Sequence, residues 1–237
     1  MAIAQRLLLF GVTGAIGTAI AASAVERGWA VTGVARRVRA QDIAGVEHVV
    51  FDPLHDRFES TTLAAAAPFD AVCWAQGANG NDSVYNVDID VNLEMYRANC
   101  TYILVTLQAL LGAAKLASPA RLCVISSIWQ NLARQSKLSY CMTKAALQGL
   151  VLSASADLAK DGHLINAVLP GALDTPMTRK NLSAEQIDRM TAATQFGRLP
   201  ALDDVVNLVL HLCSRENTGI TGQFITADLG FSHVRIV

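Results

Sequence analysis

Seven short apolar runs recur along this chain, and they limit its possible folds more than any other feature. They are Arg6–Phe10, Ala30–Ala35, His48–Phe51, Ala71–Trp74, Arg121–Ser126, Leu164–Leu169 and Gly222–Thr226. Their continuously apolar, β-branched character predicts strands buried on both faces. Longer helix-like stretches lie between them: Gly14–Arg27, Phe58–Ala66, Asp90–Ala117, Ser139–Lys160 and Asp203–Cys213. Alternating β and α elements predict an α/β fold, a doubly wound parallel sheet of the Rossmann kind with about seven strands and helices on both faces. A chain of 237 residues, 52% of them hydrophobic, has ample material for one large core. No repeat, linker or low-complexity stretch divides it, so residues 1–237 are expected to form a single domain. The segment 175–196 is more polar and follows Pro170-Gly171, and it reads as a candidate lid over the sheet end.

The first strand runs directly into glycines. LLLF-GVTGAIG-TAIAASA is strand, glycine turn, helix, with glycines at 11, 14 and 17. Glycines allow a tight turn and a close approach of backbone to a pyrophosphate, while the helix start supplies free amides and a positive dipole end. The context of strand before and helix after points to a dinucleotide site. Its candidate residues are Gly11, Thr13, Gly14, Ala15, Ile16 and Gly17. An NAD site usually carries an acid at the end of the second strand. Here Ala35 stands in that place, and Arg36 and Arg37 follow. With no carboxylate to repel a 2′-phosphate, and guanidinium groups able to grip one, NADP(H) is expected rather than NAD. Asp52, at the end of the third strand, is placed either to bond adenine or to cap its own turn.

The chemistry is expected downstream, in SSIWQNLARQSKLSYCMTK. Tyr140 and Lys144 are four residues apart, one turn along one face of a helix. An ammonium beside a phenol favours the phenolate, so the tyrosine pKa is expected below its usual value of about 10. Such a tyrosine can exchange a proton with a carbonyl or alcohol oxygen. Ser127 ends the fifth strand, where its hydroxyl would face a ligand at the sheet end.

Other functional classes find little support. The formal net charge is −1 and no basic block occurs, which argues against nucleic-acid binding. The five cysteines are scattered and the five histidines lack ligand spacing, so reduced core thiols, a cytoplasmic location and no metal are expected. The apolar N-terminus lacks a basic leader region, and no run is long enough to span a membrane.

Together, the glycine turn, Asn99, Ser127, Tyr140-x-x-x-Lys144 and Pro170-Gly171 resemble the short-chain dehydrogenase/reductase family over essentially the whole chain. INAVLPGALDTPM and TGQFITADLGFS are similar to its segments around the sixth and last strands. The resemblance implies that Tyr140 acts as general acid in reduction and general base in oxidation. Lys144 would tune it and bond the nicotinamide ribose, Ser127 would hold the substrate oxygen, and Asn99 would kink its helix and support a water relay to Lys144. Ala75, Gln76, Gly77, Pro170, Gly171, Leu173 and Thr175 would contact the cofactor.

The sequence departs from the family pattern in three places. The turn follows the G-x-x-G-x-x-G of the extended members, although the chain is too short for their further substrate domain, so the compact single-domain type is expected. The usual N-N-A-G reads Trp74-Ala75-Gln76-Gly77, and the usual D-G-G reads Asp228-Leu229-Gly230. The implied activity is an NADP(H)-dependent reductase of a ketone or 3-oxoacyl compound. Alternatives are a reductase of a sugar or polyketide intermediate and a non-catalytic NADP(H)-sensing protein. Trp129, Gln130, Leu132, Tyr85 and the 175–196 segment are expected around the substrate. The apolar helical stretches are expected to make a homodimer or homotetramer.

Overall fold

The computed structural model describes residues 4–37, 43–175, 178–179 and 182–234. Its strands are β1 (Arg6–Phe10), β2 (Ala30–Ala35), β3 (Val46–Val50), β4 (Phe69–Trp74), β5 (Leu116–Ile125), β6 (Leu164–Pro170) and β7 (Phe224–Ala227). They form one sheet in the order β3-β2-β1-β4-β5-β6-β7, and every neighbouring pair is parallel. This is the doubly wound arrangement expected from the alternation of elements. The strand order reverses between β1 and β4, which opens a crevice beyond their carboxyl ends.

Successive strand residues point to opposite faces, and each face carries its own core. Leu8 and Phe10 of β1 join Val72, Trp74, Leu122 and Val124 under α3 (Tyr102–Gly112) and α4 (Leu138–Leu158). Leu7 and Leu9 join Ala71, Cys73, Cys123 and Ile125 under α1 (Ala15–Glu26) and a later helix, Leu202–Cys213. Burying strands on both faces explains why they read as unbroken apolar runs. Four of the five cysteines are buried in these layers, and all five are free thiols.

The structure changes two of the expected helices. Phe58–Ala66 is no α-helix but two 3₁₀ turns, Phe58–Ser60 and Thr62–Ala64. The Ser60 and Thr61 hydroxyls donate to Arg57 O and Phe58 O, and such side-chain bonds compete with helix propagation. The stretch expected over Asp90–Ala117 ends at Gly112, because Ala114 takes a left-handed φ of 52° and the chain enters β5 at Leu116. It is also interrupted. α2 (Ile89–Tyr96) passes into a π turn at Arg97–Thr101 before α3 begins.

No helix among the described residues is long and apolar enough to cross a membrane. Nor do the described residues gather a group of His, Cys, Asp and Glu able to hold a metal ion.

Candidate active site

A cleft of about 390 Å³ opens at the crevice between β1 and β4. At one end is the glycine turn, where Gly11, Thr13, Gly14, Ala15 and Ile16 line the wall. Gly11 has a φ of 79°, and a Cβ there would lie 2.5 Å from Gln76 N, so only glycine lets β1 and the β4 loop meet this closely. Gly17 lies behind the lining. A Cβ on it would be 2.2 Å from Gly11 O, so it seats α1 on the turn rather than facing a ligand. Gly14 caps α1 without a side-chain hydrogen bond, and no acid occupies the first turn. The helix start therefore offers uncompensated amides and a positive dipole end, the requirements of a phosphate site.

Arg36 reaches this cleft and Arg37 does not. Asp52 also lies outside the lining. Its Oδ1 accepts from Leu54 N at 3.2 Å, the turn-capping alternative. The cleft wall here is Tyr102, buried under Phe10 in an edge-to-face contact. Burial pushes its phenol up, Asp52 adds to the effect, and Arg36 opposes it, so the three groups share one electrostatic neighbourhood.

Beyond the turn, Ala75, Gln76 and Gly77 line the cleft. The Gln76 Nε2 and Oε1 are buried without a hydrogen-bond partner among the described residues. Leaving such groups unmet costs on the order of 1–3 kcal/mol each, and a polar ligand in the cleft would satisfy them. Free helix-start amides, Arg36 and the unmet Gln76 amide together fit a phosphorylated dinucleotide. Where the family pattern has asparagine, Trp74 is fully buried. Its Nε1 donates to Thr106 Oγ1 at 2.8 Å and its ring stacks on Phe10, so aromatic packing braces this strand end.

Ser127, Tyr140 and Lys144 all line the middle of the cleft. Ser127 follows β5 and caps the turn Ile128–Gln130, with its Oγ accepting from Trp129 N at 3.3 Å. Tyr140 and Lys144 stand one turn apart on α4, and the Lys144 Nζ lies 5.7 Å from the Tyr140 ring centroid. That Nζ donates to Ile125 O at 3.0 Å, so the β5 end fixes it in place. The expected lowering of the phenol does not occur in the protein alone. Burial pushes Tyr140 up to about 12, outweighing a hydrogen bond from Ser127 that lowers it. Burial also brings Lys144 down to about 8, partly offset by Cys100. In a dry site the cost of forming either charge exceeds the help one gives the other.

Asn99 sits in the π turn, buried behind the lining. Its Oδ1 accepts from Ala78 N at 2.6 Å, and its Nδ2 donates to Ala78 O at 3.0 Å and Thr143 Oγ1 at 2.9 Å. The asparagine thus ties the loop after β4 to α4 between Tyr140 and Lys144. A Cβ on Gly77 would lie 3.1 Å from Asn99 Oδ1 and 3.9 Å from Lys144 Nζ, so the glycine keeps open the gap between them.

A family model described as enoyl-(acyl carrier protein) reductase matches residues 11–232. The chain belongs to the short-chain dehydrogenase/reductase family. As a member, it is an oxidoreductase of a family acting on alcohol and carbonyl groups. It is 25% identical over 240 residues to an uncharacterised oxidoreductase of Bacillus subtilis, covering 96% of this chain and 98% of that one. An L-rhamnose 1-dehydrogenase (NADP(+)) of Thermoplasma acidophilum is 36% identical over 111 residues, 46% of this chain and 44% of that protein. Among solved structures, a ligand-free aldohexose dehydrogenase of Thermoplasma acidophilum superimposes with a TM-score of 0.87 at 20% identity, covering 99% and 96% of the two chains. A gluconate 5-dehydrogenase of Burkholderia cenocepacia, in complex with NADP and tartrate, gives 0.86 at 22%, covering 97% and 96%.

In this dehydrogenase/reductase chain the far end of the cleft differs from expectation. Trp129 lines it, but Gln130, Leu132 and Tyr85 do not. A 3₁₀ turn sends consecutive side chains in different directions, and Gln130 Oε1 turns inward to accept from Ser126 Oγ at 2.7 Å. Tyr85 is 95% exposed. Pro170, Gly171, Leu173 and Thr175 line the cleft as expected. From the segment 175–196, Thr178 and Leu182 also reach it, ahead of α5 (Ala184–Ala192) with its Ser183–Gln186 capping box. The helix Leu202–Cys213 is then α6. Residues 176, 177, 180 and 181 of that segment lie outside the described residues. Tyr102, Arg134 and Lys137 also line the cleft, although no sequence motif marks them. Helical periodicity marks Tyr102 only as core, and the two cations sit in a loop that carries no motif.

Proposed function

We propose that this protein is an NADP(H)-dependent carbonyl reductase, running as an alcohol dehydrogenase in reverse. The observation that carries the reading is one cleft with an anion-ready helix start and Arg36 at one end and Ser127, Tyr140 and Lys144 in its middle. The NADP named for the rhamnose dehydrogenase and for the gluconate dehydrogenase complex supports the choice of cofactor.

Gly11, Thr13, Gly14, Ala15 and Ile16 hold the pyrophosphate, and Arg36 grips the 2′-phosphate. Gln76, Gly77, Pro170, Gly171, Leu173 and Thr175 border the nicotinamide half. The bound nicotinamide supplies or accepts the hydride. Ser127 donates a hydrogen bond to the substrate carbonyl oxygen and fixes it beside the phenol. Tyr140, held protonated at neutral pH by burial, donates its proton to that oxygen. Lys144 stabilises the phenolate left behind, because its ammonium faces the same ring. Asn99 holds the loop and α4 in register and borders the gap through which a water re-supplies the proton.

The chain works as one catalytic unit over 1–237, with 175–196 closing over the substrate, and operates in the cytoplasm. It assembles as a homodimer or homotetramer through the apolar side chains left exposed on α2, α3 and α4.

The test is NADPH oxidation at 340 nm against ketones, 3-oxoacyl thioesters and ketoses. We expect turnover of a carbonyl compound and a loss of at least 1,000-fold in Tyr140→Phe, since general acid catalysis contributes roughly 10²–10⁴-fold and Tyr140 also orients the oxygen. Arg36→Ala should weaken NADPH binding tenfold or more while NADH binding changes little. Turnover unaffected in Tyr140→Phe would end the mechanism, and NADPH binding unaffected in Arg36→Ala would end the cofactor assignment.

A further inference from the structure

The described lining of the cleft holds four cations, Arg36, Arg134, Lys137 and Lys144, and no carboxylate. Two of them have roles. Arg36 stands at the glycine turn, and Lys144 is anchored to the β5 end behind Tyr140. Arg134 and Lys137 are left over, and both lie on the Trp129–Tyr140 side of the cleft. Lys137 is 4% exposed. Its Nζ stands 5.7 Å from the Tyr140 ring centroid, as far as Lys144 does, so two ammonium groups lie near the ring.

Lys137 is positioned but not neutralised. Its Nζ donates to Asn79 Oδ1 at 2.8 Å and Gly80 O at 3.0 Å, both uncharged, which leaves one of its three protons. The carboxylate that acts on it, Asp82, makes no ion pair with it and is engaged by Ser139 through both N–H and O–H. Arg134 makes no ion pair or hydrogen bond among the described residues, yet lies close enough to add to the burial that depresses Lys137. Burying an ammonium beside a guanidinium without an anion is costly. The arrangement becomes favourable once an anion enters, because a charge-assisted bond in a dry cleft is about twice as strong as a neutral one.

We propose that the substrate is a small carbonyl compound bearing an oxyanion group, a carboxylate or a phosphate, which Arg134 and Lys137 hold while its carbonyl oxygen lies between Ser127 and Tyr140. The inference rests on the reductase reading above. A cleft of about 390 Å³ that must also take the dinucleotide leaves room only for a compact substrate. The two cations then act as a ruler that sets which carbonyl of a substrate meets Tyr140 and excludes neutral compounds of the same shape.

The test compares matched pairs on the full chain. One pair is an oxo acid and its primary amide, and the other is hydroxyacetone phosphate and hydroxyacetone. We expect kcat/KM to favour the charged member of at least one pair tenfold or more, and the preferred pair identifies the oxyanion. Arg134→Gln and Lys137→Gln should bring that ratio toward one, whereas a merely structural loss would lower both members alike and leave the ratio intact. Arg134, in the loop, keeps the test open should Lys137→Gln fold poorly. Calorimetric titration of the NADP⁺-loaded protein with malonate gives a readout without turnover, and Arg134→Gln should weaken it tenfold or more. Equal turnover of charged and neutral members, or malonate binding unaltered in Arg134→Gln, overturns the inference. If NADPH binds and no carbonyl compound of either charge is reduced, the reductase reading falls, while malonate binding sensitive to Arg134 still upholds the anion site.

Discussion

Tyr140 and Lys144 show how far a pair of residues can be read without its surroundings. Their spacing places them on one helical face, and the structure keeps them there. The sign of the tyrosine shift is a different matter. Four residues of sequence predict a lowered phenol, whereas burial in the cleft pushes it up to about 12. Desolvation depends on every neighbouring atom, so no local motif reports it. The raised value suits a proton donor, which stays loaded at neutral pH, and under the proposed mechanism pH control of reduction would pass to Lys144. With Lys144 down to about 8, its ammonium is lost as pH rises through that value. In the proposed reaction, reduction should therefore be flat below about pH 7 and decline above about pH 8, because the charge that would stabilise the phenolate left behind disappears. The kcat/KM profile checks this, since it reports the free protein's groups. The residual activity of Lys144→Arg should lack the alkaline limb, as arginine does not titrate there, and a limb that persists assigns it to another group.

At the scale of elements, the π turn at Arg97–Thr101 matters most. The apolar pattern of the helical stretch continues through it, so periodicity alone reads one unbroken helix. Asn99 is where the break is decided, because its amide meets both backbone groups of Ala78 and the Thr143 hydroxyl. Only the meeting of the β4 loop, the π turn and α4 makes those bonds available. Asn99→Ala would remove three hydrogen bonds and leave the part-buried N–H and C=O of Ala78 without that partner, at about 3 kcal/mol in all. A thermal midpoint lower by roughly 6–12 °C is expected for a chain of this length, with a fall in kcat larger than any change in KM. Thr143→Val, which removes one of the three bonds, should cost about 1 kcal/mol. A midpoint unmoved in Asn99→Ala would show that packing alone holds the turn.

Over the whole molecule, the surface left unexplained is apolar. Ile89, Val91, Leu93 and Tyr96 near α2, Leu104 on α3, and Met142 and Leu152 on α4 are each 46% to 64% exposed. Exposed apolar side chains in that number are costly in water and suit a second copy of the chain. Light scattering should give two or four times the 25.2 kDa chain mass, and Leu104→Lys with Leu152→Lys should reduce it. A single species of 25.2 kDa at 100 μM would exclude the assembly. What the sequence determined by itself was the sheet, the glycine turn and the positions of Ser127, Tyr140 and Lys144. Strands buried on both faces, a turn that needs glycine and a one-turn helical spacing are all local or periodic signals. Tertiary structure alone decided that Gln130 turns inward and Tyr85 outward, that Tyr102 forms the wall beside Arg36, and that Arg134 and Lys137 line the cleft. These residues sit in loops and on core faces, where direction is set by what packs against them from far along the chain. The same is true of charge, because the cost of a buried ammonium or phenolate belongs to the cavity around it and not to the residue that bears it.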